Sequence, residues 1–510
     1  MRKLLRYFTL LTMVTLVGAC DKGYDELNTS KTGILAINPA YQLNNAVLNL
    51  NSPGFAGGSY LIYDFGVVQQ IITPNSGVVA GANYNQDNRG ATQSLWQTYY
   101  RNVIRSTVDI IEITKDDPDR VNLYNMARIL QSFAFMVLTD AYGDIPYSEA
   151  GKGYSAVNFF PAYESQEDIY NGIISELTAA SAALNPSGTV ENADALYGGN
   201  IDQWKKFANS LLLRAAMRLS KVDPTRAEQI VSGLNLSELI LSNEDNAVVR
   251  HDNNYQNPMG GTLNGTEGAN FYLAEPFVEH LKANDDPRLS AIAVRYKGAT
   301  SGPAQTVDVA TTDPEEQVGM PMGHDNSTIG TAVANLGLAS FYDFSQADRR
   351  RVMKITAPYF LVTAAQTQLL LAEARHRNWI NAGDAADYYE AGVRAHMEQM
   401  ALFDAGSAIA SGDIDTYIAN NPFDAGDALN QINTEYWIAS FGNPPEAFAN
   451  FRRSGFPDLA PNPYPGREVD FIRRLTYPVS EGSVNPDNVA AAIQRMGPDA
   501  LDTRVWWDVP

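Results

Sequence analysis

Cysteine is almost missing from this sequence: one residue, Cys20, stands in 510. A lone thiol makes no internal disulfide framework and no paired-cysteine zinc site. Histidine is scarce too, limited to His251, His280, His324, His376 and His396. No two have the spacing of a zinc-protease helix, and HExxH, GxSxG, a Walker loop and GxGxxG are all lacking. Positive charge is in deficit, with 37 Lys and Arg against 58 Asp and Glu and a net charge of −21. Such a surface repels phosphate backbones, so nucleic acid is not expected as a partner. After Cys20 no apolar run approaches the roughly 20 residues of a membrane span. Glycosidase-like carboxylate pairs can be drawn in many ways, but their separation, which decides the chemistry, is not in a sequence. No cofactor, metal site or catalytic residue is expected.

What is present begins around Cys20. Met1, Arg2, Lys3 and Arg6 give a positive start, Tyr7–Val17 is apolar, and Gly18 and Ala19 are small. That order is a secretory signal peptide. "VGAC" looks like a lipobox, in which cleavage before Cys20 leaves the cysteine acylated. The expected layout is a lipoprotein signal peptide over 1–19, a lipidated tether over 20–45 and one body over 46–510. With 45% hydrophobic and 19% charged residues the body is globular. No Ser/Gly/Pro linker or charge block divides it.

Apolar residues recur at i, i+3, i+4 and i+7 in Val121–Tyr142, ending at Gly143, and in Gln203–Ser220, where Asp202 is placed to cap. Ser165 opens a third helix over Ser165–Leu184, three residues before Asp168. Pro358–Ala374 is apolar almost all round, which predicts a helix buried centrally. Trp96–Glu112, Pro276–Ala283, Ala385–Gln399, Gln431–Ser440 and Asp487–Met496 read as further helices. The fold class is therefore all-α, with antiparallel helix pairs. A clean repeat of about 34 residues, the tetratricopeptide period, is not found.

Three stretches, 51–92, 250–272 and 298–346, are rich in Gly, Asn, Ser, Thr and Pro with isolated aromatics. Long irregular loops in a compact body are commonly functional. A sugar offers an apolar ring face and many hydroxyls, so it suits flat aromatics flanked by amides and carboxylates. "GANYNQDNRG" places Tyr84 beside Asn85, "HDNNYQNPMGG" presents Tyr255, and "NFY" and "SFYDF" offer Phe271 and Tyr342. Each ring has a competing role as a plug that seats its loop on the helices. A peptide ligand would suit the same loops, through backbone-directed Asn and Gln contacts. "DVATTDPEE" (308–316) is oxygen-rich but lacks the ordered spacing of a calcium loop.

The lipobox followed by "GYDELNTS" resembles the start of SusD/RagB-type outer-membrane lipoproteins of Bacteroidota. The resemblance continues in "LTDAYGDIPYSEA" (138–150), "QWKKFANSLLLRAAMRLS" (203–220), "DDPRL" (285–289), "YYEAGVRAHM" (388–397), "NFRRSGFPDL" (450–459), "RLTYPVSE" (474–481) and "VWWD" (505–508). It implies a SusD-like all-α fold of tetratricopeptide-like helix pairs with long irregular loops on one side. It also implies a nutrient-binding protein at the cell surface, lid to a SusC-type TonB-dependent outer-membrane transporter. Many such proteins bind glycans, whereas RagB-like ones handle peptides. The favoured reading is a non-catalytic oligosaccharide receptor. A RagB-like peptide receptor is the alternative, and a surface glycoside hydrolase stands behind both. Within the landmarks, Arg452 and Arg453 are expected in buried pairs more than on a ligand, and Trp506 and Trp507 to dock the chain end.

Overall fold

The apolar stripes become helices in the structure of the chain, a computed structural model that describes residues 37–153 and 156–510. Helix takes 53% of the residues and strand 5%, so the class is all-α as the periodicity implies. The principal helices are α1 (Pro39–Asn49), α2 (Arg105–Thr114), α3 (Val121–Tyr142), α4 (Gln166–Ala183), α5 (Ile201–Arg218), α6 (Ala364–His376), α7 (Ala385–Phe403), α8 (Ala428–Ala439) and α9 (Pro444–Ser454). From α2 to α7 each packs on the next, α6 also on α8, and α8 on α9. Successive hairpins thus stack into one helical body.

Local chemistry sets the ends. Ser165 caps α4 by accepting from the Asp168 amide, and α3 stops at Gly143, which takes φ 82°. The cap of α5 is Asn200, accepting from the Gln203 amide, and Asp202 lies inside the first turn. The stretch expected as one helix from Pro358 splits. Tyr359–Val362 form a strand, and Thr363 with Gln366 then makes a reciprocal capping box that starts α6. Aromatic and β-branched residues favour the strand, and the cap sets the switch. Helix α1 claims residues 39–45, which the reading above gave to the tether: Asn38 caps it and Pro39 fills its first position. The stretch 51–92 also carries a wide-turned helix over Ala56–Asp64.

The short strands include β1 (Ile71–Ile72), β2 (Ala247–Val249), β3 (Tyr272–Leu273), β4 (Ala293–Tyr296), β5 (Ala310–Thr311), β6 (Gln346–Ala347) and β7 (Tyr359–Val362). Antiparallel pairing joins β1 to β3, β2 to β7, and β4 to both β5 and β6. Beneath the segment 298–346 lies a small core of its own, with Ile72, Tyr272, Met320, Met322, Ile329 and Phe344. That region is packed, although it lacks long elements.

The landmark segments turn out to hold buried arginines. Arg218, Arg288, Arg452, Arg453 and Arg474 are among the largest fully buried side chains. Arg453 forms two bonds to the Glu373 carboxylate, at 2.8 and 2.7 Å. Arg288 meets Asp286 and Glu435, and Arg218 meets Asp140 and Glu446. Each ties segments far apart in the chain, so these arginines serve the architecture of the fold. Among the described residues no helix is long and apolar enough to cross a membrane.

Candidate functional site

The loop "GANYNQDNRG" can fold as it does because Gly81 sits at φ 144°, where an added Cβ would come within 2.8 Å of the Ile62 carbonyl oxygen. Asn85 is also left-handed, at φ 47°. Its amides are then engaged on neighbouring loops. Asn83 Nδ2 donates to the carbonyls of Thr73 (2.8 Å) and His324 (2.7 Å), and its Oδ1 accepts from the Gly323 amide (3.1 Å). Asn85 Nδ2 donates to the carbonyls of Val469 and Asp470, and Gln86 Nε2 to that of Gly466. Asn462 returns the grip on the carbonyls of Ala82 and Asn83. Three loops, 73–90, 320–328 and 460–470, are stapled into one frame.

The frame holds an aromatic pair. Tyr84 and Tyr464 lie parallel, with ring centroids 3.7 Å apart and planes 2° off. Gly466 lets the chain turn over Tyr464, since a Cβ there would lie 2.8 Å from the ring. Tyr84 is only 7% exposed, and Tyr464 is half-buried. Beside the Tyr84 hydroxyl sits the Asp325 carboxylate. The Ser327 hydroxyl, 2.7 Å from Asp325 Oδ1, holds that carboxyl well below the usual range, aided by the hydroxyls of Tyr84 and Thr328. Burial, and then Asp325, push the Tyr84 hydroxyl upward, so it remains a donor.

The same 460–470 loop borders a cleft of about 630 Å³, within the size range of ligand sites. Its walls carry Arg467, Arg473 and Arg504 against Glu468, Asp470 and Asp502. Those six formal charges cancel, on a chain whose net charge is −21. Arg467 is held by Asp470 at 2.7 Å and Arg504 by Asp508 at 2.6 Å. Such a surface alternates fixed donors and acceptors without favouring either sign of ligand charge. Among the described residues, no group of three or more His, Cys, Asp or Glu gathers as for a metal ion.

The five candidate residues do not form one cluster. Tyr84 is in the platform, whereas Asn85 is 5% exposed and serves as a staple. Tyr255 stacks on His251 with centroids 5.1 Å apart and donates its hydroxyl to the Leu48 carbonyl, so it seats its loop on α1. His251 in turn lines a separate cavity. Phe271 is 5% exposed and belongs to the main core, which leaves its ring facing other side chains. Tyr342 is half-buried, with its ring 4.1 Å from Phe341. Tyr464 and Asp325 were missed. The signal for Tyr464 was "NPYPG" (462–466), an aromatic bracketed by prolines and followed by glycine, which marks a fixed, exposed turn. Cys20 lies outside the described residues.

The SusD-like family, described as starch-binding and associating with the outer membrane, matches residues 31–478. Among solved structures, a chitin-binding protein is 31% identical with a TM-score of 0.82, covering 93% of this chain and 100% of its own. A SusD-like protein of Bacteroidetes AC2a is 28% identical with a TM-score of 0.81, over 93% of this chain and 100% of that one. A chitin-binding SusD homologue of Flavobacterium johnsoniae, 24% identical with a TM-score of 0.76 over 92% and 98%, shares the fold. No curated protein matches the chain.

Proposed function

The chain belongs to the SusD-like family, and on that premise we propose that it is a non-catalytic receptor that captures an oligosaccharide on the outer membrane and passes it to a SusC-type TonB-dependent transporter. The observation that carries the glycan reading is the parallel Tyr84–Tyr464 pair, with Asp325 at its edge and a charge-balanced polar cleft along the same loop. Aromatic faces take the C–H face of a sugar ring, and the carboxylate and amides take hydroxyls. An uncharged ligand loses nothing in a cleft whose charges already cancel. The chitin-binding relative at 31% identity adds support for a polysaccharide-derived ligand.

Tyr84→Ala and Tyr464→Ala are each expected to weaken oligosaccharide binding by about 1–3 kcal/mol, as for a central aromatic contact. The check is calorimetric titration of the protein with chito- and malto-oligosaccharides, followed by chromatography of the mixture. Unaltered affinity in both variants would move the site elsewhere. Cleavage products would make the chain a hydrolase.

The lid arrangement rests on the family. Attachment rests on Cys20, whose acylation would give one anchor while the transporter gives the second, since few acyl chains alone hold a protein firmly. Cys20→Ala is expected to move the protein from the membrane fraction to the soluble fraction after cell lysis. Persistent membrane association of that variant would exclude the lipid as the main anchor.

A further inference from the structure

The buried charges around Arg288 back onto a cavity of about 380 Å³, which none of the platform residues lines. That volume is at the lower end of the range for ligand sites. Tyr389 of α7, Glu435 of α8, Tyr417 of the helix Ser411–Asn420 and His280 of the helix Glu275–Ala283 form its walls.

The lining is one-sided in its hydrogen bonding. Its amide and hydroxyl donors are spent within the wall: Asn430 Nδ2 on Asp427 at 2.9 Å, Thr434 Oγ1 on Asn430 at 3.1 Å, and Gln431 Nε2 on the Pro422 carbonyl at 3.2 Å. Asn284 and Asn421 turn their amide nitrogens back on the carbonyls of His280 (2.8 Å) and Tyr417 (3.0 Å). Among the described residues no donor reaches their amide oxygens or the exposed Asp458 carboxylate, and all three residues line the cavity. Burial lowers the pKa of His280, so its ring keeps an acceptor nitrogen.

Charge points the same way. Asp427, Asp458 and Glu435 line the cavity, and among the described residues no Lys or Arg does. Arg288 lies behind the wall, fully buried, and its nitrogens are taken by Asp286, Glu435, His396 and Tyr417. Asp286 and Glu435 outnumber it by one charge. One group is then left over. Tyr389 is 4% exposed and lines the cavity, yet its hydroxyl meets no hydrogen-bond partner among the described residues. Interior hydroxyls are ordinarily paired, so this one points to a partner supplied from within the cavity.

We propose that this cavity binds a small primary alkylammonium ion. An ammonium group carries three donors and no acceptor, the complement of a wall whose free groups accept. The Asn284 and Asn421 oxygens and the Tyr389 hydroxyl take its protons. Asp427 and Asp458 supply the opposing charge, and the alkyl chain lies on Pro457 and the faces of Tyr389 and Tyr417. No group of three or more His, Cys, Asp or Glu gathers as for a metal among the described residues, and the apolar faces suit a carbon chain. The site takes a different ligand class from the platform and does not depend on the glycan reading.

The test is calorimetric titration of the full chain in detergent with butylamine and with butan-1-ol, its uncharged match, each against a detergent blank. Butylammonium is expected to bind, and butanol about tenfold more weakly or not at all. Asp427→Asn with Asp458→Asn should weaken amine binding about tenfold, and both positions are exposed, so the packing stays intact. Tyr389→Phe keeps the ring, drops the hydroxyl and should weaken binding about threefold. Tyr84→Ala should leave amine binding unchanged while weakening oligosaccharide binding. No heat from butylamine, equal affinity for butanol, or unaltered affinity in both cavity variants would each overturn the proposal. Glucosamine binding where butylamine does not would give the cavity to amino sugars and also overturn it. Oligosaccharide binding by the unaltered protein tests the platform separately.

Discussion

Glu373→Ala is expected to lower the unfolding free energy by about 3–5 kcal/mol, the usual consequence of removing one partner of a buried ion pair. Glu373 is fully buried on α6, and its two oxygens are both occupied. Oε1 accepts from Arg453 Nη1 at 2.8 Å and from Arg377 Nε at 2.9 Å, and Oε2 from Arg453 Nη2 at 2.7 Å and Asn433 Nδ2 at 3.2 Å. Truncation leaves the Arg453 guanidinium inside the protein with only neutral partners, the amide oxygens of Asn433 and Asn450 and the Ser220 hydroxyl. The double replacement Glu373→Met with Arg453→Met removes both charges together, and should recover most of the loss. Chemical denaturation of the two variants measures this, and a double variant no better than the single would place the loss in packing instead.

The same carboxylate gives a pH dependence. Burial alone would raise its pKa, but the Arg453 guanidinium, followed by Arg377, outweighs burial and holds it at about 2 against an ordinary 4.5. A carboxyl whose folded value is depressed stabilises the fold fully above the unfolded value. That contribution is lost as pH falls from about 4.5 toward 2. Stability of the unaltered protein should therefore fall over that window, and the double methionine variant should fall less steeply.

Trp507→Ala is expected to cost a further class of stability, about 3–5 kcal/mol, from a ring that is completely buried at the chain end. Its indole Nε1 donates to Asp140 Oδ1 at 2.9 Å, and the Arg452 guanidinium lies 4.9 Å from the ring centroid. Removing the ring opens a cavity and uncovers a cation that is itself buried. Trp507→Phe keeps most of the burial and loses the donor. Asp140 would still accept from Tyr170 and Arg218, so about 1–2 kcal/mol is expected. The neighbouring Trp506 is only partly buried against Tyr170, and Trp506→Ala should cost about 1 kcal/mol or less. Thermal unfolding of the three variants tests the ranking, and equal losses at 506 and 507 would refute it.

The helical body was legible because its signals are local: α3 and α5 follow from apolar spacing, and α4 from Ser165 at its start. The signals for the start of α1 are there as well, Asn38 and Pro39 ahead of Leu43, inside the stretch 20–45 given to the tether. Tyr359–Val362 escaped because a short apolar run fits strand and helix equally until a cap is recognised. In the candidate site, composition singles out the loop that carries the Tyr84–Tyr464 stack but gives no sign of the loop's structural work. Asn83, Asn85 and Gln86 all hold backbone carbonyls of neighbouring loops. The pairing of Tyr464 with Tyr84 is carried by no local pattern, since the two meet across most of the chain length; "NPYPG" marks only the turn. Phe271 shows the converse limit: nothing in "NFY" says which ring faces the core.

The staples have a further consequence, for how the loop surfaces can change in sequence. Asn83, Asn85 and Asn462 grip carbonyl oxygens, and every residue type has one. Side chains at the gripped positions, among them His324, Val469 and Asp470, can therefore drift without loosening the frame. Selection on ligand preference can act on the loop surfaces while selection on folding acts on a few asparagines. The two pressures fall on different atoms, so a lineage can explore new ligands through sequences that all still fold.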